Sequence, residues 1–576
     1  MLAPVTEQRW ELREVSPTRI APLRPSGYPE PILRIFALRG IETLPELHRF
    51  LSGGLSTLSD PFLMPGMAAA AHRIARGIVA VETICIYGDY DVDGVTATAL
   101  LVTFFRELGA PVLWHIPHRI NDGYGLTVSS LENIAARGAT LVVTVDCGIT
   151  SVEPARACSR LGIDLIITDH HLPDGELPPA VAVLDPHLPD SPFPAKEIAG
   201  VGVAFYLAVA VRKILRDEGF FAVRPEPDLK RYLDFVALGT IADVAPVTGE
   251  NRLLIRHGLP LLNNSSRPGI EALKKVAAVR GDVTCKTVGF SLAPRLNAAG
   301  RLEHAEAGLH LLLTDDPLHA QEIAATLDEA NRQRQELERQ ILADAIDAIT
   351  RNGVRKSARS IVLASDEWHP GVIGIVASRM AALYHRPTIL ISLREGLGKG
   401  SGRSIPALHL RDALSACSEH LRAFGGHRQA AGLAIDEGTL ARFVERFEEV
   451  TSGLLTEEDL CPVLTLDAEL SPDILTADTV DLLNRLVPFG VGNPEPLFLI
   501  RGGVIVSLRT VKGGHLRCSV EWCGKRVDGI WFTPPPHSFA PGDRIDLAAH
   551  LEMNQWQGKR SLSFRIKGIR RESHAA

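Results

Sequence analysis

Three carboxylates at alternate positions on one tight turn, Asp89-Tyr90-Asp91-Val92-Asp93-Gly94, constrain this chain more than any other stretch of it. The apolar run at 83–87 leads into the turn, and residues 95–108 leave it without a Gly or Pro, so the pattern predicts strand, turn and helix. The unit recurs. Residues 141–145 form an apolar run ending at Asp146-Cys147-Gly148, residues 165–168 one ending at Asp169-His170-His171, and residues 181–184 one ending at Asp185-Pro186-His187. Strands alternating with helices predict a largely parallel sheet covered on both faces. Ligands of such sheets bind outside the carboxyl ends of the strands, where these polar clusters all fall.

Carboxylates this close repel one another and call for cations, either side chains or hard metal ions that prefer oxygen ligands. The turn begins like a calcium-binding EF-hand loop. It fails that reading, because the twelfth position is Leu100 rather than Glu and an apolar strand stands where the entering helix should be. Three aspartates that only cap the next helix would be redundant, since one N-cap suffices. Asp169-His170-His171 adds two adjacent imidazoles on a strand end. Neighbouring side chains point in different directions, so one can bind metal while the other faces a substrate. With Asp146 and with Asp243, in the stretch 239–244, the set becomes several carboxylates plus an imidazole, which suits a pair of Mn²⁺ or Mg²⁺ ions.

At 576 residues the chain has room for three or four domains at roughly 150 residues each. Residues 1–75, with five prolines between Pro17 and Pro31, read as an extended arm followed by short helices, and 76–315 as the catalytic α/β lobe. From 316 to 352 the sequence is helical without interruption, a connector spanning about 50 Å at 1.5 Å per residue. A second α/β lobe is expected over 353–458, with strands at 361–364 and 388–392. Over 459–576 the alternation becomes β-like, as at 503–508 and 545–551, and predicts a small barrel.

Charge is divided unevenly among these parts. The net formal charge is −7, yet residues 501–571 hold thirteen lysines and arginines against five acidic residues. Such an asymmetry places a polyanion-binding module beside a metal-collecting one, unless the cations only keep strand edges soluble. Arg517, Trp522, Lys525, Arg526, Trp531, Phe532, Trp556, Lys559, Arg560, Phe564 and Arg565 interleave cations with aromatics. Single nucleic-acid strands need both, for phosphates and for base stacking, and about half of the aromatics are expected in the barrel core. The eight cysteines include no C-x-x-C, which argues against a zinc knuckle or a disulfide framework. The longest apolar run, 198–211, is short for a bilayer and reads as a buried helix; with no signal-like N-terminus, a cytoplasmic location and no membrane contact are expected.

The motifs Ile86-Tyr87-Gly88-Asp89-Tyr90-Asp91-Val92-Asp93-Gly94, Val145-Asp146-Cys147-Gly148, Thr168-Asp169-His170-His171, Gly239 to Asp243, Arg295-Leu296-Asn297-Ala298-Ala299-Gly300-Arg301 and Gly425-Gly426-His427 resemble the DHH phosphoesterase superfamily. Within it they are most similar to the bacterial single-stranded-DNA-specific exonucleases, over about 83–571 and in the same order. The resemblance implies two α/β lobes (DHH and DHHA1) joined by a long helix, plus a C-terminal OB-like β-barrel. It makes Asp89, Asp91, Asp93, Asp146, His170 and Asp243 the ligands of two Mn²⁺ or Mg²⁺ ions, without dividing them between the ions. Asp169 and His171 become catalytic residues, His171 contacting the scissile phosphate or protonating the leaving oxygen. Arg119, Arg301, Ser401 and Arg403 would collect a terminal 5′ phosphate, a role the guanidinium fork suits, although single arginines often bridge carboxylates instead. His427 would meet substrate where two glycines let backbone approach.

The activity so implied is 5′-to-3′ hydrolysis of single-stranded DNA to mononucleotides, in DNA repair and recombination, by a monomer. The same resemblance suggests a single-stranded-DNA-binding protein and a RecQ-type helicase as partners. Two alternatives share the motifs: a DHH phosphodiesterase of short oligonucleotides or cyclic dinucleotides, and a catalytically silent replication scaffold. The first would hardly need the barrel, and intact acidic and histidine motifs argue against the second.

Overall fold

A computed structural model describes residues 2–572 except 6–7, 118–124, 303–304, 352, 355 and 557–558; at 299, 301, 302, 305, 555, 556 and 559 only the backbone is described. The catalytic lobe is built on a five-stranded, wholly parallel sheet in the spatial order Val112–His115, Ile84–Gly88, Leu141–Val145, Asp164–Thr168, Ala182–Leu184. Ile84–Gly88 and Leu141–Val145 are buried along their whole length, as strands covered on both faces must be. Val92–Glu107 and Gly200–Asp217 pack in the largest apolar core, the latter containing most of the apolar run read as a buried helix.

Pro317–Arg351 is one helix of 35 residues. On its catalytic side Asp328 accepts from Arg295 Nε at 2.9 Å; near its far end Trp368 Nε1 donates to Asp344 at 2.8 Å, fixing the second lobe. That lobe carries a mixed five-stranded sheet in which Thr388–Arg394 pairs in parallel with Ile361–Ser365 and antiparallel with Leu397–Arg403. The C-terminal strands Phe498–Val511, His515–Trp522, Lys525–Trp531, Lys559–Arg571 and Arg544–Trp556 pair in that order, and the last returns to the first, closing a barrel. Among the described residues no helix is long and apolar enough to cross a membrane.

The N-terminal segment runs as a short extended stretch followed by short helices, and it packs against the rest of the chain. Leu2 N donates to Val354 O at 3.1 Å and Val5 N to Leu383 O at 2.9 Å, both in the second lobe or its approach. Arg9–Leu12 then pairs in parallel with Val463–Leu466, and Glu30–Leu38 buries Ile32, Leu33, Ile35 and Phe36 in the core that fills the barrel. Met67–Val79 packs on the catalytic lobe and crosses the expected boundary at residue 75. The segment is a brace over all three parts, and apolar burial rather than proline content decides its shape.

Candidate metal centre

Asp89 leaves the carboxyl end of Ile84–Gly88, Asp146 that of Leu141–Val145, and Asp169 that of Asp164–Thr168. Parallel pairing puts those ends on one side of the sheet, so residues far apart in sequence share one crevice. Asp91 does cap Val92–Glu107, accepting from the Asp93 and Gly94 amides at 2.8 and 3.2 Å. Capping therefore explains one aspartate of the three. Asp93 faces the start of Gly200–Asp217, accepting from Gly200 N at 2.6 Å and Val201 N at 2.9 Å. A Cβ on Gly200 would stand 2.9 Å from Asp146 Oδ1 and 3.0 Å from Asp93 Oδ2, so only glycine lets that helix end approach the carboxylates. Sequence reasoning missed Gly200. Its signal was a glycine opening an apolar helix that has no polar N-cap.

The six expected ligands and His171 come together. Ligand atoms of Asp89, Asp91 and Asp146 lie within 4.8 Å of one another, as do those of Asp93, His170 and Asp243, and those of Asp146, His170 and His171. His170 Nε2 is 3.0 Å from Asp146 Oδ1 and 3.8 Å from Asp93 Oδ2 but makes no hydrogen bond. A buried ring nitrogen aimed between carboxylates without bonding to them has the geometry of a metal ligand.

Electrostatics point the same way. Burial, then the charges of Asp243 and Asp91, push the Asp93 carboxyl well above the usual range; burial, then Asp93, Asp91, Asp89 and Asp243, do the same to Asp146. Asp243, pushed up to about 7 by burial and Asp91, sits at the C-terminal end of Leu233–Ala242, where the helix dipole also disfavours a negative charge. Burial and the neighbouring His171 hold His170 down at about 4, so its imidazole is neutral and able to ligate. Buried carboxylates crowded against a neutral imidazole fit two divalent cations, which would neutralise them.

Asp169, expected as a catalytic residue, stands directly behind His171. It is fully buried, and its oxygens accept from the amides of Ile149 (2.9 Å), His170 (2.8 Å) and His171 (3.2 Å), and meet His171 Nδ1 at 2.7 Å. Those bonds keep it ionised, below the usual carboxylate range despite burial, and hold it against the His171 ring. Burial disfavours a charge on His171, but Asp169, Asp243 and Asp91 raise it to about 9. Asp185, which the sequence placed on a strand end without a role, is buried and pushed up to about 7 by burial, with Asp169 adding to the push. Leu172 and Val244, which follow His171 and Asp243 in the chain, are 62% and 64% exposed, apolar side chains beside a polar centre.

The expected phosphate contacts fare unequally. Arg119 and the side chain of Arg301 lie outside the described residues, although the helix bearing Arg301 bonds to the aspartate turn through Asn297 Oδ1, which accepts from Val92 N at 3.2 Å. Ser401 and Arg403 share the strand Leu397–Arg403, with Arg403 Nη1 donating to Ser401 Oγ at 3.2 Å and to Gly402 O at 2.8 Å. Both side chains face the first turn of Ile373–Tyr384, where a Cβ on Gly374 would meet Ser401 Oγ at 2.8 Å and Arg403 Nη2 at 3.2 Å. His427 is exposed beyond Gly426, whose φ of 137° suits glycine.

Residues 83–240 match the N-terminal domain of the DHH family, 357–453 the DHHA1 domain and 466–568 the RecJ OB domain, which defines the class as a DHH-domain phosphoesterase with an added OB module. The single-stranded-DNA-specific exonuclease RecJ of Escherichia coli K12 is 38% identical over 98% of this chain and 99% of its own, and that of Bacillus subtilis 168 is 36% identical over 98% of this chain and 71% of its own. The crystal structure of Thermus thermophilus RecJ with Mn²⁺ superimposes with a TM-score of 0.83 at 32% identity, covering 98% of this chain and 80% of that one; the Mg²⁺ complex gives 0.77 at 31%, covering 98% and 79%. This chain belongs to the RecJ family of single-stranded-DNA-specific exonucleases.

Proposed function

We propose that the chain hydrolyses single-stranded DNA from the 5′ end to mononucleotides, with Asp89, Asp91, Asp93, Asp146, His170 and Asp243 holding two Mn²⁺ or Mg²⁺ ions. The single observation that carries this is that the six side chains fall into overlapping clusters of ligand atoms joined through Asp146 and His170, whose buried Nε2 makes no hydrogen bond. When bound, the ions supply charge neutralisation and Lewis acidity at a phosphodiester. The protein's own part is to hold the donors: Gly200 and Val201 amides fix Asp93, and the cap bonds fix Asp91. Asp169 clamps His171 Nδ1, which leaves Nε2 as the ring nitrogen to meet a phosphate oxygen, and keeps the ring charged at neutral pH.

Arg119, Arg301, Ser401 and Arg403 are assigned to the terminal 5′ phosphate, with His427 along the strand. The adjacency of Ser401 and Arg403 at a helix N-terminus supports this. The barrel grips the strand further along, and the work is done in the cytoplasm, in DNA repair and recombination, with a single-stranded-DNA-binding protein and a RecQ-type helicase as partners. A time course on single strands labelled at either end, with 5′-phosphate or 5′-hydroxyl ends, in Mn²⁺ or EDTA, tests the reading. Mononucleotides released first from the 5′ label in Mn²⁺ alone are expected; release from the 3′ end, or equal cleavage in EDTA, would overturn it.

A further inference from the structure

A second cationic pocket lies outside the metal centre, where the N-terminal brace, the catalytic lobe and the approach to the barrel meet. Its cavity of about 350 Å³ is lined by Arg39, Arg49 and Phe50 from the brace, Gly249 and Arg252 from the catalytic lobe, and Asn493 just before the barrel. That volume is in the range of small-ligand sites and suits something of mononucleotide size.

Arg252 is the central feature. Only 2% of it is exposed, its guanidinium stacks 4.0 Å above the Phe50 ring, and Nη2 donates to the carbonyls of Arg485, Leu486 and Val487 at 3.2, 3.1 and 2.9 Å. Nε and Nη1 are buried and make no hydrogen bond. Arg39 beside it bonds to Asn493 Oδ1 and to the carbonyls of Pro494 and Ile35. None of these named partners is a carboxylate. Burial and the nearby Arg256 and Arg39 lower the Arg252 guanidinium to about 10, as happens to a buried cation without a counter-charge. The helix Gly249–Asn263 starts at the same wall with no side-chain cap on its N-cap residue Thr248, and Gly249 there has a φ of 47°. Its first amides and dipole add to the positive potential. Glu46 and Glu250 also line the cavity, but Glu46 Oε2 accepts from the Glu42 and Thr43 amides at 2.9 and 3.0 Å, and the Glu250 oxygens from Ser59 N at 3.1 Å and the Tyr206 hydroxyl.

We infer that this pocket binds a phosphate-bearing small molecule, drawn by the uncompensated Arg252 guanidinium, by Arg49 and by the start of Gly249–Asn263. Because its walls come from three parts of the chain, an occupant would hold the brace and the approach to the barrel against the catalytic lobe. The shared chemistry is a phosphate group, carried either by inorganic phosphate or by a deoxynucleoside 5′-monophosphate. An apolar ligand would leave the guanidinium donors unmatched.

Hydrogen–deuterium exchange of the full-length protein in EDTA tests this site separately from the metal centre and from the second lobe. Inorganic phosphate and dAMP are titrated in separate arms, and protection is read in the peptides covering 39–59 and 248–254. Saturable protection of both regions is expected. Protection by both ligands marks a site for phosphate itself, and protection by dAMP alone a nucleotide site. Arg252→Lys keeps the charge but loses the planar guanidinium and its unpaired N–H groups, and should weaken binding by about tenfold. Arg49→Glu changes an exposed wall residue without touching the buried clasp, and should weaken it by about threefold or more while leaving cleavage of short oligonucleotides unchanged. No protection with either ligand, or equal affinity in wild type and both variants, would overturn the proposal.

Discussion

Negative charge in the catalytic lobe and positive charge in the barrel are handled in opposite ways. Asp93 and Asp146 are almost completely buried, and their neighbours are other carboxylates and a neutral imidazole. In the barrel Arg517 pairs with Asp528, Arg544 with Glu572, and Arg560 with Asp481, each near or at the surface. Those barrel pairs contribute little to stability and are screened by salt. The buried cluster is costly until cations enter, so the protein crowds like charges only where its chemistry needs them.

The comparison also revises the reading of the basic barrel. An excess of cations in a sequence overstates what nucleic acid can use when many lie on carboxylates. Arg509, Lys512 and Arg526 are exposed and form no ion pair among the described residues, and these are the better candidates for phosphate contacts. Of the aromatics, Trp522, Trp531 and Phe564 are core, whereas Phe532 is 48% exposed and packs edge-on to His515. Trp556 and Lys559 have no described side chains.

The sharpest break comes from removing one ligand. Asp146→Ala should lower Mn²⁺-dependent turnover by more than about 10³-fold, because the proposed two-ion centre loses a carboxylate that lies against both the Asp89–Asp91 and the His170–His171 donors. In EDTA the variant should melt no lower than wild type, since a repelling buried carboxylate has gone. Turnover within tenfold of wild type would remove the two-ion reading.

Asp169→Asn should have the next largest effect, about 10- to 100-fold on kcat, with the six proposed ligands left in place. Its distinguishing mark is pH. Without the Asp169 charge His171 loses its proton at lower pH, so the alkaline fall in rate should move to lower pH. An unmoved profile would mean that Asp169 only supports the loop.

For the barrel, combined replacement of Arg509, Lys512 and Arg526 by Ala should weaken binding to long strands by about tenfold and reduce the salt slope by about 0.7 for each phosphate no longer neutralised. Arg517→Ala and Arg560→Ala, which remove cations already paired, should change the slope much less. Equal slopes in all variants would erase the distinction between paired and available charge. Filter binding across a salt series measures it.

Smallest is an effect on the metal-free fold. Asp93, Asp146, Asp185 and Asp243 hold protons in the folded state that the unfolded chain has already released, and His171 does so up to about 9. Their contribution is therefore lost as pH rises, and the melting temperature in EDTA should fall by several degrees between about pH 6.5 and 9. His170, held near 4, acts with the opposite sign below that window. Added Mn²⁺ should flatten the curve; a flat curve in EDTA would show that the carboxylates are already compensated.

Much of this was legible in the residues. Strand, acidic turn and helix set the lobe's architecture because buried parallel strands need continuous apolar runs and their carboxyl ends must carry the polar groups. The aspartate and histidine motifs named their own chemistry, since a cluster that repels itself implies what must balance it. Position in three dimensions was another matter. Asp169 and Asp146 are the same residue type at the ends of neighbouring strands, and nothing local tells them apart. Hydrogen bonding does: three amides and an imidazole saturate Asp169, which orients its neighbour, whereas Asp146 is crowded by other carboxylates and awaits a cation. Gly200, the bracing N-terminal segment and the pairing of barrel arginines likewise depend on contacts between residues far apart in sequence. Composition sets which charges a chain carries, but only packing sets the distance and dielectric through which each one meets its partner, and those two quantities decide whether it stabilises, binds or reacts.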